Sequence, residues 1–224
     1  MFSDGAVSLY LSVIEFILCA FTMTQRKKHP AVIFAALMLF FLAGYQLCEA
    51  LMCRFGFTGH MTPYLAIVDI SLLPPLTLLF SLRFQGSRSS VPYVLFIPIL
   101  FFSVFYGFHF EEMLVVQCTP FYAMYHYPLG DLYGFFYYAP ILTSMILFGR
   151  RIKKEENPRL RALAIIMLSG FVFISIPVLT AFASKAAGNA TMLKAVESIM
   201  CKSAIVLAAA VTYVSFRLPE EPVD

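Results

Sequence analysis

The stretch AVIFAALMLFFLAGYQLCEALMC, residues 31–53, decides how this chain is read. Its 23 residues carry a single charge, Glu49. A helix rises 1.5 Å per residue, so about 20 apolar residues cross the roughly 30 Å hydrocarbon core of a bilayer. Residues 31–53 are long enough to do so. Working outward, similar stretches occupy 6–24, 63–82, 91–109, 131–149, 161–183 and 191–216. The 224-residue chain is 60% hydrophobic and 13% charged, with a mean hydropathy of +0.81, well away from soluble-domain composition. The expected fold is an all-α membrane protein: a seven-transmembrane helix bundle over 1–218, with a short tail at 219–224 and no stretch long enough for a soluble domain.

The basic residues orient the bundle. Arg26, Lys27 and Lys28 fill the first gap, Arg83 and Arg88 the third, and Arg150, Arg151, Lys153, Lys154, Arg159 and Arg161 the fifth; Arg217 ends span 7. These twelve share one side. The other side has three, Arg54, Lys185 and Lys194. Basic loops stay in the cytoplasm, which predicts the N-terminus outside and the C-terminus inside. The net charge of +3 follows from this asymmetry and gives no footprint for nucleic acid. The Arg150–Arg161 run suits anionic headgroups, at roughly 1 kcal/mol per basic residue near the surface, or a cytoplasmic partner. MFSDGAVS lacks the basic n-region of a cleaved signal peptide.

Several features punctuate the spans. Pro74, Pro75, Pro98, Pro140 and Pro177 each remove a backbone donor and predict kinks, sharpest at the Pro74-Pro75 step. The external connection 110–130 clusters Tyr122, Tyr125, His126 and Tyr127, the composition of an interfacial aromatic belt or of a cap over helix ends. Spans 1–3 and 5–7 echo one another faintly, with Asp69 and Glu197 at comparable depth, as in transporters built from parallel repeats.

Ionisable groups inside the spans cost at least about 2.5–3.5 kcal/mol each, so each needs a reason. They are Glu15, Glu49, Asp69, Glu197 and Lys202. Apart from Glu15 near mid-membrane, they gather in the external half, predicting an externally open polar pocket for a small ligand. Gln46, Glu49 and Cys53 share one face of span 2 by their i, i+3, i+7 spacing. Glu197 and Lys202 lie about 140° apart on span 7, so Lys202 is expected to pair across the bundle with Asp69, Glu49 or Glu15. Such charges serve equally as buried ion pairs that fix packing. Cys53 and Cys118, both external, can form a disulfide in an oxidising compartment, while Cys19, Cys48 and Cys201 read as small apolar residues. The four histidines are scattered without metal-ligand spacing, and no nucleophile or phosphate-loop motif appears, so neither cofactor, metal nor enzymatic activity is expected. Asn189-Ala-Thr191 fits a glycosylation sequon.

Three segments carry a resemblance: AVIFAALMLFFLAGYQLCEALM, DISLLPPLTLLFSLRFQG and GRRIKKEENPRLRALAIIMLSGFVFISIPVL. Together they resemble the seven-helix N-terminal sensor region of bacterial and archaeal histidine kinases, over most of residues 6–217. The resemblance implies a sensor in a prokaryotic cytoplasmic membrane that passes a signal inward. The chain departs from it in having no output domain after Arg217, where PEEP interrupts the helix, and no tryptophan. Output is then expected through a separate cytoplasmic partner or a homodimer. Two alternatives stand beside this reading. One is a small-solute or lipid transporter with a 3+1+3 helix arrangement. The other is a rhodopsin-like retinal protein with a Schiff base at Lys202. Against the latter, Ala66 stands where an arginine is expected, Ser198 where an aspartate is usual, and the tryptophans that sandwich retinal are missing. The orientation is testable: a cysteine at Lys154 should react with a membrane-impermeant maleimide in inverted vesicles and not in intact cells.

Overall fold

The computed structural model describes residues 5–87, 91–186 and 196–220. Among the described residues six helices are long and apolar enough to cross a membrane, and a shorter apolar helix accompanies them. In chain order they are α1 (Ala6–Thr24), α2 (Ala31–Phe55), α3 (Met61–Ser71) with α4 (Leu73–Phe84), α5 (Phe96–Phe108), α6 (Gly130–Lys154), α7 (Pro158–Ala186) and α8 (Val196–Arg217). Packing follows the sequence: α1 on α2, α2 on α3 and α4, α4 on α6, α6 on α7, and α7 on α8. Contacts of α8 with α1 and α2 close the ring, and α5 lies against α3.

The residues of α1 reveal the solvent for which the bundle is built. Its buried positions are Ser8, Ser12, Glu15 and Thr22, whereas Val13, Ile14, Ile17 and Phe21 are exposed. A helix facing water would show the reverse arrangement. Apolar side chains outward and polar ones inward suit a hydrocarbon surround, where every polar group must find a protein partner. The outward faces of α5 and α7 are likewise apolar, with Leu100 and Leu179 each about two-thirds exposed.

Small residues bring α1 and α2 together. Gly5, Ser12 and Cys19 recur every seven residues on α1 and its N-terminal flank, opposite the antiparallel Ala36, Ala43 and Ala50 of α2. Ser12 Oγ donates to Ala43 O at 2.9 Å, and Cys19 Sγ to Ala36 O at 3.3 Å. A Cβ on Gly5 would stand 2.9 Å from Arg54 N. Membrane helices lack a hydrophobic force pulling them together, so close approach and interhelical hydrogen bonds carry the association. Across the ring, a Cβ on Gly170 of α7 would meet Leu207 Cδ1 of α8 at 3.0 Å.

The third span is broken where the sequence places its two prolines. Leu72 separates α3 from α4, and Pro74 and Pro75 occupy the first turn of α4, where a missing N–H leaves no helical acceptor unmatched within α4 itself. Pro98 similarly falls in the first turn of α5 and starts a helix where a kink was expected. Span 91–109 is thus a 3₁₀ turn (Val91–Leu95) followed by a 13-residue helix of about 20 Å. Pro140 and Pro177 do lie inside α6 and α7.

One departure from all-α is the connection between α5 and α6. Leu114–Cys118 (β1) and Ala123–His126 (β2) form an antiparallel hairpin with an irregularity between Val115 and Gln117. Thr119 fixes its turn: Oγ1 accepts from the N–H of Phe121 and Tyr122 and donates to Tyr122 O at 2.8 Å. Ala123 and Tyr125 of β2 alternate inward, as a half-buried strand requires. The sequence predicted a belt or cap here, and the hairpin caps the helix ends. The seam leads to a measurable expectation. Ala43→Leu should wedge α1 from α2 and lower stability by about 1–3 kcal/mol in detergent melts, whereas Phe21→Leu on the outward face should leave the melt nearly unchanged.

Candidate functional site

Three helices and the hairpin converge on one carboxylate. Glu49 lies four residues short of Cys53 near the hairpin end of α2, and it is 1% exposed. Its Oε1 accepts from Ser8 Oγ of α1 at 2.8 Å and from the Lys202 ammonium of α8. Its Oε2 accepts from Ser198 Oγ of α8 at 2.7 Å. Lys202, with a side chain 12% exposed, also donates to Ser198 Oγ at 3.1 Å, one turn back on the same helix. The Ser198 hydroxyl donates once and accepts twice; its second donor is the backbone N–H of Ala123 in β2, at 3.0 Å. Both carboxylate oxygens and the serine hydroxyl are therefore used, and the hairpin completes the set.

Around this centre the surroundings are buried and aromatic. Tyr45 of α2 and Tyr125 of β2 are buried, with ring centroids 6.4 Å apart. Burial pushes the Tyr125 phenol well above its ordinary value, so it stays a neutral group above the ion pair. The hairpin is pinned by a disulfide from Cys53 to Cys118 with Cα atoms 5.5 Å apart, and Met113 O, just before β1, lies 3.1 Å from His60 Nδ1. On the opposite side of the ion pair lies an apolar cavity among α2, α4, α6, α7 and α8. Met38, Tyr137, Met200 and Cys201 line it, and Thr77 brings the cavity a hydroxyl.

The other sequence-predicted residues separate into groups. Gln46 and Glu15 are fully buried and share the α1–α2 seam below Glu49; Lys202 is the charge that acts on Glu15. Asp69 is half-buried against α2, where a Cβ on Gly44 would stand 2.8 Å from its Oδ1, and it takes no part in the Lys202 bonds. The Glu197 and Lys185 side chains, together with Arg88, Asn189, Thr191 and Lys194, lie outside the described residues. Of the residues expected to line an external pocket, Glu49 and Lys202 are paired with one another, and the hairpin bonds Ser198 beside them.

The basic end has a contact network of its own. Arg150, Lys153, Lys154, Arg159 and Arg161 are exposed, Arg151 pairs with Glu155, and Arg159 Nη2 donates to Arg217 O at 2.9 Å. That last bond ties the start of α7 to the end of α8. Among the described residues no group of three or more His, Cys, Asp and Glu is placed to hold a metal ion.

Sequence reasoning passed over Ser8 and the Ala123 N–H and gave Ser198 no part in the site. Ser198 carries a signal, since it stands four residues before Lys202 on the same helical face. Ser8 belongs to the polar stripe of α1; nothing in the sequence marks the Ala123 amide. No protein-family model matches this chain, and a comparison with curated proteins finds no match either. The geometry gives its own energetic expectation. Lys202→Met leaves Glu49 charged and buried, which should cost about 3–5 kcal/mol of stability. Glu49→Gln combined with Lys202→Met should recover much of that loss in the same thermal melts.

Proposed function

We propose that this chain is a multi-pass membrane sensor of the receptor type that signals through a separate cytoplasmic partner. The observation that carries this reading is the Ala123 N–H bond to Ser198 Oγ. Through it an external element touches the ion pair that joins α1, α2 and α8. A small external ligand that lifts the hairpin removes one donor from Ser198 and frees α8 from the hairpin while its bonds to Glu49 remain. Helix α8 then runs 22 residues, about 33 Å, to Arg217, whose carbonyl holds Arg159 beside the exposed basic loop. The resemblance to histidine-kinase sensor regions supports the same direction of signalling, from the hairpin end to the basic end. In this reading the hairpin faces outside a bacterial or archaeal cytoplasmic membrane, and the basic loop meets the partner or anionic lipid. The disulfide restrains the hairpin in its resting position.

Hydrogen–deuterium exchange tests the link without requiring the ligand. Reducing Cys53–Cys118 should raise exchange across 114–126 and also change it across 150–161. In Ser198→Ala the first effect should persist and the second should vanish. Exchange across 150–161 that is indifferent to reduction in the wild type would remove the basis of the sensor reading.

A further inference from the structure

The ion pair leaves one acid at the same junction without a counter-ion of its own. Glu49 has filled both oxygens with Ser8, Ser198 and Lys202, and Lys202 spends its bonds on Glu49 and Ser198. Glu15, on the inward face of α1, is 0% exposed, and neither carboxyl oxygen has a hydrogen-bond partner among the described residues. Gln46 is also 0% exposed, and both atoms of its amide lack a partner among the described residues. Both lie along the α1–α2 seam. Ser12 bonds Ala43 and Ser8 bonds Glu49, bracketing Gln46 on α2, and Glu15 follows Ser12 by one turn on the same face of α1. The charged groups facing Glu15 are Lys202 on α8 and, beyond it, Glu49 on α2; Cys19 is the next titratable group along α1.

Two carboxyls and one ammonium therefore share a buried three-helix junction. A buried carboxylate does not stay charged and unpaired; it binds a proton or a metal cation. Without a cluster of three or more His, Cys, Asp and Glu among the described residues, a divalent-metal site does not fit. Two carboxylates against one ammonium leave one negative charge uncompensated, which suits a single positive charge. We infer that Glu15 and Gln46 form a buried site for one monovalent cation, a proton or Na⁺, at the junction of α1, α2 and α8. Glu15 supplies the neutralised charge, and the Gln46 carbonyl solvates the bound cation or accepts from the protonated acid.

The test uses the purified full chain in detergent, melted over a Na⁺ series at fixed pH with choline as the balancing cation. Infrared spectra are recorded on the same samples. With Na⁺ as occupant, the melting temperature rises with Na⁺ in the wild type, and the rise is lost in Glu15→Gln. With a proton as occupant, Na⁺ has no effect, and the carbonyl band of a protonated carboxylic acid is present in the wild type and missing in Glu15→Gln. Gln46→Met keeps the acid but removes its amide neighbour, so it should weaken the Na⁺ response or shift the acid band. It decides the matter if Glu15→Gln does not fold. A wild type with neither signal overturns the proposal, as does a signal that survives Glu15→Gln or is unchanged in Gln46→Met.

Discussion

The bundle is organised around the need to satisfy a carboxylate that has left water. Glu49 sits in an apolar interior, where an unpaired charge would be costly, and it is matched by an ammonium and two hydroxyls from two neighbouring helices. Each partner imposes a condition on its own element. Ser8 fixes the rotation of α1, and Ser198 with Lys202 fixes the rotation of α8 through their shared face. The ion pair is weak support for net stability, since apolar residues of equal volume would pack as well. It is strong support for a specific arrangement of α1, α2 and α8, because a slip of one residue on any of them leaves a charge alone.

The same reasoning explains the unusual face of α1. Its inward stripe of serine, glutamate, cysteine and threonine has no apolar surface to bury, so it associates through close contact and hydrogen bonds to the α2 backbone. In a bilayer that is sufficient, because the competing solvent for the outward isoleucines and phenylalanines is hydrocarbon. Gly5, Ser12 and Cys19 let the two backbones approach, and that approach brings Ser8 within reach of Glu49. Packing at the seam and satisfaction of the carboxylate therefore depend on each other.

Much of this architecture was legible in the sequence, and the reason is physical. Span length and apolar content are properties of local text, so the long helices could be placed within a few residues of their ends. Pro74-Pro75 marked the break beside Leu72 for the same reason. The 91–109 segment read as a single span, since hydropathy does not distinguish a 3₁₀ turn from an α-helix and Pro98 occupies a first turn that tolerates it. The hairpin was hidden because LVVQC and AMYH are too short for a clear period-2 signal between apolar helices. Face geometry excluded a Glu197 partner for Lys202 and left three acids. Choosing Glu49 among them depends on how far each helix slides along its neighbour, a tertiary quantity that spacing within one helix does not contain.

The hairpin changes what the polar centre can respond to. An open pocket would let a ligand reach Lys202 directly, whereas here Ala123 and Tyr125 of the hairpin are almost wholly buried, and Ala123 bonds Ser198 beside the ion pair. Access by that route requires movement of a segment held by the Cys53–Cys118 disulfide, its own ladder, the Met113–His60 contact and the Ala123 bond to Ser198. In the proposed sensor, the disulfide limits how far that segment travels, and the Ser198 bond couples its travel to α8. Breaking the Ala123–Ser198 bond alone does not expose a charge, because Lys202 and Ser198 can both remain on Glu49. That asymmetry permits a small displacement at the hairpin end without disrupting the core, while α8 still extends to the Arg159–Arg217 contact at the other. A cap bonded to an intact ion pair can return to its starting point, which is the property that the proposed sensor needs.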